Sequence, residues 1–215
     1  MLETPRWLRD LERSLGWLAV PNIGSFLVGL QFIGFVLAYA DPSWPWRLAL
    51  IPELVLQGEL WRLVTFLAVP VSRSPFWILF VLWFLYFIVE NIEAAWGEFK
   101  TTFYILISIL LTIGFSLLFM VPIAYVGDLH STLFLAAAAL NPEFQILLFF
   151  VIPVKIKWLA WLTGAFILWR FVTGPWVDKL YLLAIYSNYL IFLGPYHYAQ
   201  IKQIHRRWKF KREIR

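Results

Sequence analysis

The stretch FWILFVLWFLYFIVENIEAAWGEFKTTFYILISILLTIGFSLLFMV, which runs from Phe76 to Val121, decides the fold of this chain. It contains two long apolar runs, one from Phe76 towards Gly97 and one from about Thr102 to Val121. Each run has roughly the 20 residues that an α-helix needs to cross a bilayer. Because only Trp96 to Thr101 separates them, the two runs are predicted to form antiparallel membrane helices.

The composition of the whole chain supports the same class of protein. Hydrophobic residues make up 61% of the 215 residues and charged residues 14%, whereas soluble globular proteins average about 45–50% and about 25%. The surplus apolar surface needs lipid to face. The chain has no cysteine, no His-rich cluster and no Gly-rich phosphate loop, so neither a metal nor another cofactor is expected.

Four further crossings are predicted, which gives six in all. They are Asn22 to Ala40 before the quoted stretch and, after it, Leu129 to Leu140, Trp158 to Val172 and Leu180 to Tyr196. The run from Leu129 has only about 12 residues, which is short for a lipid-facing crossing, so a central helix surrounded by the others is expected. The run Phe144 to Val154 is similarly short, and we expect it to be re-entrant or interfacial.

The predicted membrane domain covers residues 22–196. Two further segments flank this domain, and one segment inside it is not expected to cross the membrane. Residues 1–21 are expected to form a cytoplasmic amphipathic segment, with a helix over 5–19 whose leucines recur at helical spacing. Residues 41–75 are broken by proline and too polar to cross, so a long loop lying partly in the interface is predicted. Residues 197–215 form a basic tail, expected to rest on lipid headgroups rather than to bind nucleic acid.

The distribution of positive charge predicts the orientation of the chain. Of the 18 Lys and Arg residues, 13 fall on the side that carries both termini, four fall on the opposite side, and Arg170 lies inside the fifth crossing. Because Lys and Arg are retained on the cytoplasmic face, both termini are predicted to be cytoplasmic. Arg170 is expected to extend its side chain to the interface, and no cleavable signal peptide is recognised.

Ionisable residues inside membrane crossings are costly and therefore suggest function. Glu90 and Glu93 share one helix face near the cytoplasmic end of the second crossing, where pairing with Lys100 or with arginines of the amphipathic helix is expected. The alternative is a proton or cation pathway, which would make the protein a small transporter or channel. We favour pairing, because a transport route normally needs further buried charges near the midplane.

A polar cluster, Asp128 to Thr132, opens the short fourth crossing. Asp128 is predicted to cap the helix N-terminus, while Ser131 beside His130 raises the alternative of nucleophilic catalysis. Neighbouring residues on a helix point about 100° apart, so His130 is poorly placed to act as a base for Ser131. We therefore favour the capping interpretation.

Three segments together carry a family resemblance. Gly58 to Phe66 contains Trp-Arg before an apolar Thr-Phe run, Glu90 to Gly97 ends the second crossing in acidic residues and Trp-Gly, and Pro153 to Ala160 gives the fifth crossing a basic entry. These segments resemble the rhomboid superfamily, which includes rhomboid proteases and derlins, over roughly residues 20–196. The resemblance implies an all-α bundle of six membrane helices with an interfacial first loop, as in bacterial inner-membrane members.

The resemblance also implies which residues would carry a reaction. Rhomboid proteases have a Gly-x-Ser-Gly motif at the start of the fourth helix and a histidine base in the sixth. Here Ser131 lacks both glycines, and Asn188 stands where the base is expected. Because asparagine cannot take a proton from serine at neutral pH, no general base is expected for Ser131.

The favoured function is therefore that of a non-proteolytic rhomboid-like protein, which binds transmembrane segments of other proteins or serves as an accessory subunit of a membrane complex. An intramembrane serine protease that uses Ser131 with an unidentified base is the alternative, besides the transporter or channel above. Trp61 and Arg62 are the expected binding or structural residues of the first loop. Trp61 is predicted to anchor at the interface, and Arg62 to bind lipid phosphate or a buried carbonyl.

Overall fold

The computed structural model describes residues 6–148 and 152–213. The protein is 78% helical, which confirms the all-α class. The described part contains α1 (Arg6–Leu15), α2 (Ile23–Ala40), α3 (Trp44–Leu48), α4 (Pro52–Leu56), α5 (Arg62–Thr65), α6 (Pro75–Trp96), α7 (Glu98–Phe119), α8 (Gly127–Leu140), α9 (Ile156–Thr173) and α10 (Trp176–Glu213), with strands β1 (Gln145–Leu148) and β2 (Ile152–Lys155) between α8 and α9.

Three of these helices, α2, α6 and α7, are long and apolar enough to cross a membrane, with 18, 22 and 22 residues. They confirm the apolar helices that were predicted for the first crossing and for the stretch from Phe76 to Val121. Among the described helices, α8, α9 and α10 do not combine that length with that apolarity. Helix α8 has only 14 residues, and α9 carries Lys157 and Arg170. Six crossings therefore remain a prediction.

The connection between α6 and α7 is shorter than the predicted Trp96 to Thr101, because α7 already begins at Glu98. Gly97 alone makes the turn, with φ +87°, and its N–H donates to the carbonyl of Glu93 at 2.7 Å. This positive φ suits glycine and ends α6. Glu98 can join the first turn of α7 because a carboxylate is stabilised at a helix N-terminus.

The segment 41–75 is folded against the bundle. It contains α3, α4, α5 and a 3₁₀ turn at Phe66–Ala68. A Cβ placed on Gly34 of α2 would lie 1.6 Å from the Ala68 carbonyl oxygen, so only glycine allows this close approach. Gln31 donates from Nε2 to the carbonyls of Leu67 and Val69, the latter at 3.0 Å. Helix α2 therefore holds the end of the loop in place.

The short helix α8 lies among longer ones, packing against α6, α7, α9 and α10. Its buried side chains include Leu129, Leu133 and three alanines, which allow close packing. Helix α9 is peripheral in contrast, with Ile156 as its only buried residue. Large apolar side chains on α9, such as Trp161 and Leu162, are mostly exposed.

The described residues of the run Phe144 to Val154 form two antiparallel strands, and the expectation that the run is re-entrant or interfacial stays a prediction. Strands β1 and β2 pair from Gln145 opposite Lys155 to Leu148 opposite Ile152, and residues 149–151 lie outside the described ranges. Branched and aromatic side chains in this run favour a strand over a helix, and Pro153 disfavours a continuous helix. Glu143 closes the hairpin by accepting hydrogen bonds from Lys155, at 2.7 Å, and Lys157.

The two ends of the chain are helical where they are described. The predicted amphipathic helix is confirmed as α1 with a following 3₁₀ turn at Gly16–Leu18, and Leu8 is buried against the bundle. Residues 1–5 of that segment lie outside the described ranges. At the other end, α10 passes through Pro195 and continues to Glu213, so most of the predicted tail continues the last helix.

Candidate functional site

Ser131 lies in the first turns of α8 and lines a cavity of about 230 Å³, which we call the serine cavity. Its Oγ is 2.8 Å from the carbonyl oxygen of Asp128 and hydrogen-bonded to the hydroxyl of Tyr186 in α10. A carbonyl oxygen only accepts and a serine has one hydroxyl proton. Ser131 therefore donates to the Asp128 carbonyl, and its second partner is the Tyr186 hydroxyl, which also interacts with the Asp128 carboxylate.

Asn188, which stands at the position expected for a base, makes no hydrogen bond with Ser131 in the described structure. It is fully buried, and its Nδ2 donates to the Tyr104 carbonyl at 2.9 Å and to Ser108 Oγ at 2.7 Å. Its Oδ1 is buried without a hydrogen-bond partner. Asn188 thus joins α10 to α7, away from the serine.

Tyr186 is the residue of α10 that reaches Ser131, and it was missed by the sequence reasoning. The available signal was a tyrosine in a predicted crossing, since a buried phenol normally finds a hydrogen-bond partner. The helical rotation that turns Tyr186 rather than Asn188 towards α8 is set by packing, which a single sequence does not reveal.

His130 lines the same cavity as Ser131 but makes no hydrogen bond with it in the described structure. Within the described ranges, neither an imidazole nor a carboxylate is hydrogen-bonded to Ser131 Oγ. The other walls of the serine cavity are mostly apolar, and α6, α8 and α9 all contribute to them. They include Val71, Val81, Phe84, Leu85, Ile88, Phe134 and Thr163. This lining suits apolar side chains rather than charged groups.

Arg170 makes two ion pairs that the sequence did not predict. Its Nη1 lies 2.7 Å from Asp128 Oδ1, and its Nη2 lies 2.9 Å from Asp178 Oδ1. Both carboxylates come from other helices, 42 and 8 residues away in the chain, so no local sequence pattern indicated these pairs. Extension of Arg170 to the interface stays a prediction. We call these three residues the charged triad. It ties the peripheral helix α9 to α8 and α10.

Asp128 is not the helix cap that the sequence predicted. Val126 occupies the N-cap position of α8 and no side chain caps it, while Asp128 lies inside the first turn. The Asp128 side chain is only 9% exposed and is turned towards Arg170. A carboxylate in this turn still complements the helix dipole.

A second cavity, of about 350 Å³, lies beside the charged triad, and we call it the acidic cavity. It is lined by Asp128, Arg170 and Asp178 together with residues of the α7–α8 connection, including Tyr125. Tyr125 lines the serine cavity as well. Burial raises the pKa of the Tyr125 phenol, and the charge of Asp128 adds to the rise, so the phenol is neutral at physiological pH.

Arg62 is buried and binds carbonyl groups of its own loop, which is one of its two expected roles. Its Nη1 donates to the carbonyls of Trp46, Arg47 and Ala49 at 2.8–2.9 Å, and its Nε lies 2.6 Å from Glu59. These carbonyls end helix α3 and have no helical partners of their own. Arg62 therefore organises the loop.

The remaining candidate residues lie away from both cavities. Trp61 is 57% exposed, as an interfacial anchor requires. The expected pairing of Glu90 and Glu93 is wrong for Lys100, whose partner is Glu12 at 3.7 Å. Glu93 instead accepts the backbone N–H of Asn22 at 3.2 Å, because α2 begins beside the end of α6.

The part of the chain that the structure describes contains no group of three His, Asp or Glu side chains that could hold a metal ion. Comparison with family models, with curated proteins and with solved structures gives no match. The rhomboid resemblance therefore rests on the sequence segments given above.

Proposed function

We propose that the protein is a non-proteolytic, rhomboid-like membrane protein that binds transmembrane segments of other proteins or serves as an accessory subunit of a membrane complex. The proposal includes six crossings, with α8, α9 and α10 as the last three, and both termini on the cytoplasmic side of a bacterial inner membrane. The three long apolar helices and the excess of positive charge on one side support it.

The observation that carries the proposal is the hydrogen bonding of Ser131. A serine nucleophile needs a base that takes its proton during attack. Ser131 donates its hydrogen bond to a backbone carbonyl, which cannot take up a proton at neutral pH, and its other partner is the neutral hydroxyl of Tyr186. Both interactions hold the hydroxyl in a structural role and leave it without activation.

The serine cavity supports client binding. Its mostly apolar lining comes from α6, α8 and α9, and only one of the 18 residues of α9, Ile156, is buried. A helix held by few apolar contacts can shift to admit a guest segment at little cost in packing. An apolar side chain of a client helix would fill the space in front of Ser131, where no charge opposes it.

The proposal is tested by placing a photo-crosslinking amino acid at Thr163, which lines the serine cavity, and in a matched variant at the neighbouring Leu162, which is 69% exposed. Both variants are irradiated in native membranes, and captured proteins are identified by mass spectrometry. We expect Thr163 to capture a distinct set of proteins through their transmembrane segments, uncleaved. Identical capture at both positions contradicts client binding in the cavity.

An intramembrane serine protease is the second candidate, because Ser131 and His130 line one cavity. Purified protein in liposomes that cleaves a transmembrane substrate, with the cleavage abolished by Ser131→Ala, would establish it. Intact substrate with both wild type and Ser131→Ala is the result that our proposal predicts.

A further inference from the structure

The acidic cavity is formed where the ends of four helices meet. The end of α7, the start of α8, the end of α9 and the start of α10 surround it, and the α7–α8 connection lines one side of it. That connection is fixed by two hydrogen bonds between Leu50 and Ile123, at 3.0 and 2.8 Å. The cavity is therefore a built feature of the fold, about 350 Å³ in volume.

The charge balance of this cavity favours a cation. The charged triad contains two carboxylates and one guanidinium, and both terminal nitrogens of Arg170 are already bound to carboxylates. An anion would be repelled by the net negative charge of the triad, and neither terminal nitrogen of Arg170 is free to bind it. The Oδ2 of Asp178 has no hydrogen bond among the described residues and can accept one from a ligand.

The aromatic lining favours an organic cation over a metal ion. Phe115, Tyr125 and Tyr181 line the cavity, and the rings of Phe115 and Tyr181 lie 5.2 Å apart between centroids. Aromatic faces attract ammonium groups, and carboxylates bind them by charge-assisted hydrogen bonds. Within the described ranges, no three metal-ligating side chains come together. The volume suits a small headgroup, since ligand cavities begin at roughly 300 Å³.

We propose that the acidic cavity binds a primary ammonium group, with Asp178 as its hydrogen-bond acceptor and the three aromatic side chains around it. The group can come from the headgroup of an ethanolamine phospholipid or from a free small amine. The lipid source rests on the proposed membrane function, because only a bundle that crosses a bilayer brings these helix ends to headgroup level. Ammonium binding itself does not require that function.

The test measures ligand-induced thermal stabilisation of the full chain in detergent. Four ligands are titrated: short-chain phosphatidylethanolamine, the phosphatidylglycerol of the same chain length, free phosphoethanolamine and free ethanolamine. We expect phosphatidylethanolamine to stabilise and phosphatidylglycerol to do so at least tenfold more weakly. Stabilisation by free ethanolamine as well would assign the affinity to the ammonium group alone. Its absence, with phosphatidylethanolamine active, would assign the site to the lipid.

Two variants locate the binding. Asp178→Asn removes the carboxylate charge whose Oδ2 is unpaired, and about tenfold weaker binding is expected. Asp41→Asn makes the same change at a residue that does not line the cavity, and should leave binding unchanged. Tyr125→Leu keeps the charged triad intact and changes a side chain that is 55% exposed, so it tests the site even if Asp178→Asn unfolds. About two- to fivefold weaker binding is expected for Tyr125→Leu.

Three results would overturn the proposal. They are stabilisation by phosphatidylglycerol equal to that by phosphatidylethanolamine, absence of stabilisation by any ammonium compound, and unchanged affinity in both cavity variants. None of them bears on photo-crosslinking at Thr163, so the ammonium site and client binding can fail separately.

Discussion

Replacing Arg170 with methionine should loosen helix α9 and lower the stability of the whole protein. The substitution keeps a long side chain but removes both ion pairs, at 2.7 and 2.9 Å. Breaking a fully buried pair costs about 3–5 kcal/mol, and an exposed pair contributes at most about 1 kcal/mol. Asp128 is 9% exposed, but Arg170 and Asp178 are 27% and 26% exposed. An intermediate loss of about 2–3 kcal/mol is therefore expected.

The assay is thermal or denaturant unfolding in detergent, combined with hydrogen exchange of the amides of α9 and α7. Arg170→Met should speed exchange in α9 while α7 keeps its protection. Arg73→Met is the matched control, because Arg73 is exposed and has no ion pair in the described structure. Adding Asp128→Asn to Arg170→Met should recover part of the loss, since it removes the buried charge left unpaired. Unfolding within about 0.5 kcal/mol of wild type, with unchanged α9 exchange, would refute the reasoning.

Three further predictions concern packing, the loop and pH. Gly34→Ala should destabilise the protein by more than about 2 kcal/mol in thermal unfolding, because the new Cβ would lie 1.6 Å from the Ala68 carbonyl oxygen. Gly29→Ala is the control: no atom lies within 4 Å of the new Cβ, so the change should be neutral or slightly stabilising. Arg62→Met should cost about 3 kcal/mol and expose the first loop to proteolysis, since three carbonyls lose their donor; proteolysis at the wild-type rate would contradict this. The pKa of Glu143 is lowered to about 2 by hydrogen bonds from its two lysines, so the support it gives the hairpin is complete above about pH 4.5 and lost as pH falls towards 2. Hydrogen exchange of β1 and β2 should show this loss, and Glu143→Gln should remove the pH dependence.

The sequence predicted the apolar helices well, because their signal is local. The run from Phe76 to Val121 gave both helices within a few residues, and a single glycine accounts for the difference at their connection. Hydropathy could not distinguish the hairpin of β1 and β2 from a short buried helix, since both read as about ten apolar residues.

The cavities could not be predicted in the same way. The charged triad joins Asp128 to Arg170 across 42 positions, and nothing in either neighbourhood signals that their helices face each other. The same holds for Tyr186, since the rotation of α10 decides whether it or Asn188 meets Ser131. The resemblance pointed to Ser131 and to the missing histidine, and the structure added the partners that hold the serine.

The central claim is that Ser131 is not an activated nucleophile, and labelling with a fluorophosphonate probe tests it most directly. Wild type and Ser131→Ala are incubated with the probe in liposomes and their intact masses are measured. We expect no adduct on either protein. A stoichiometric adduct on wild type that is absent from Ser131→Ala would contradict it.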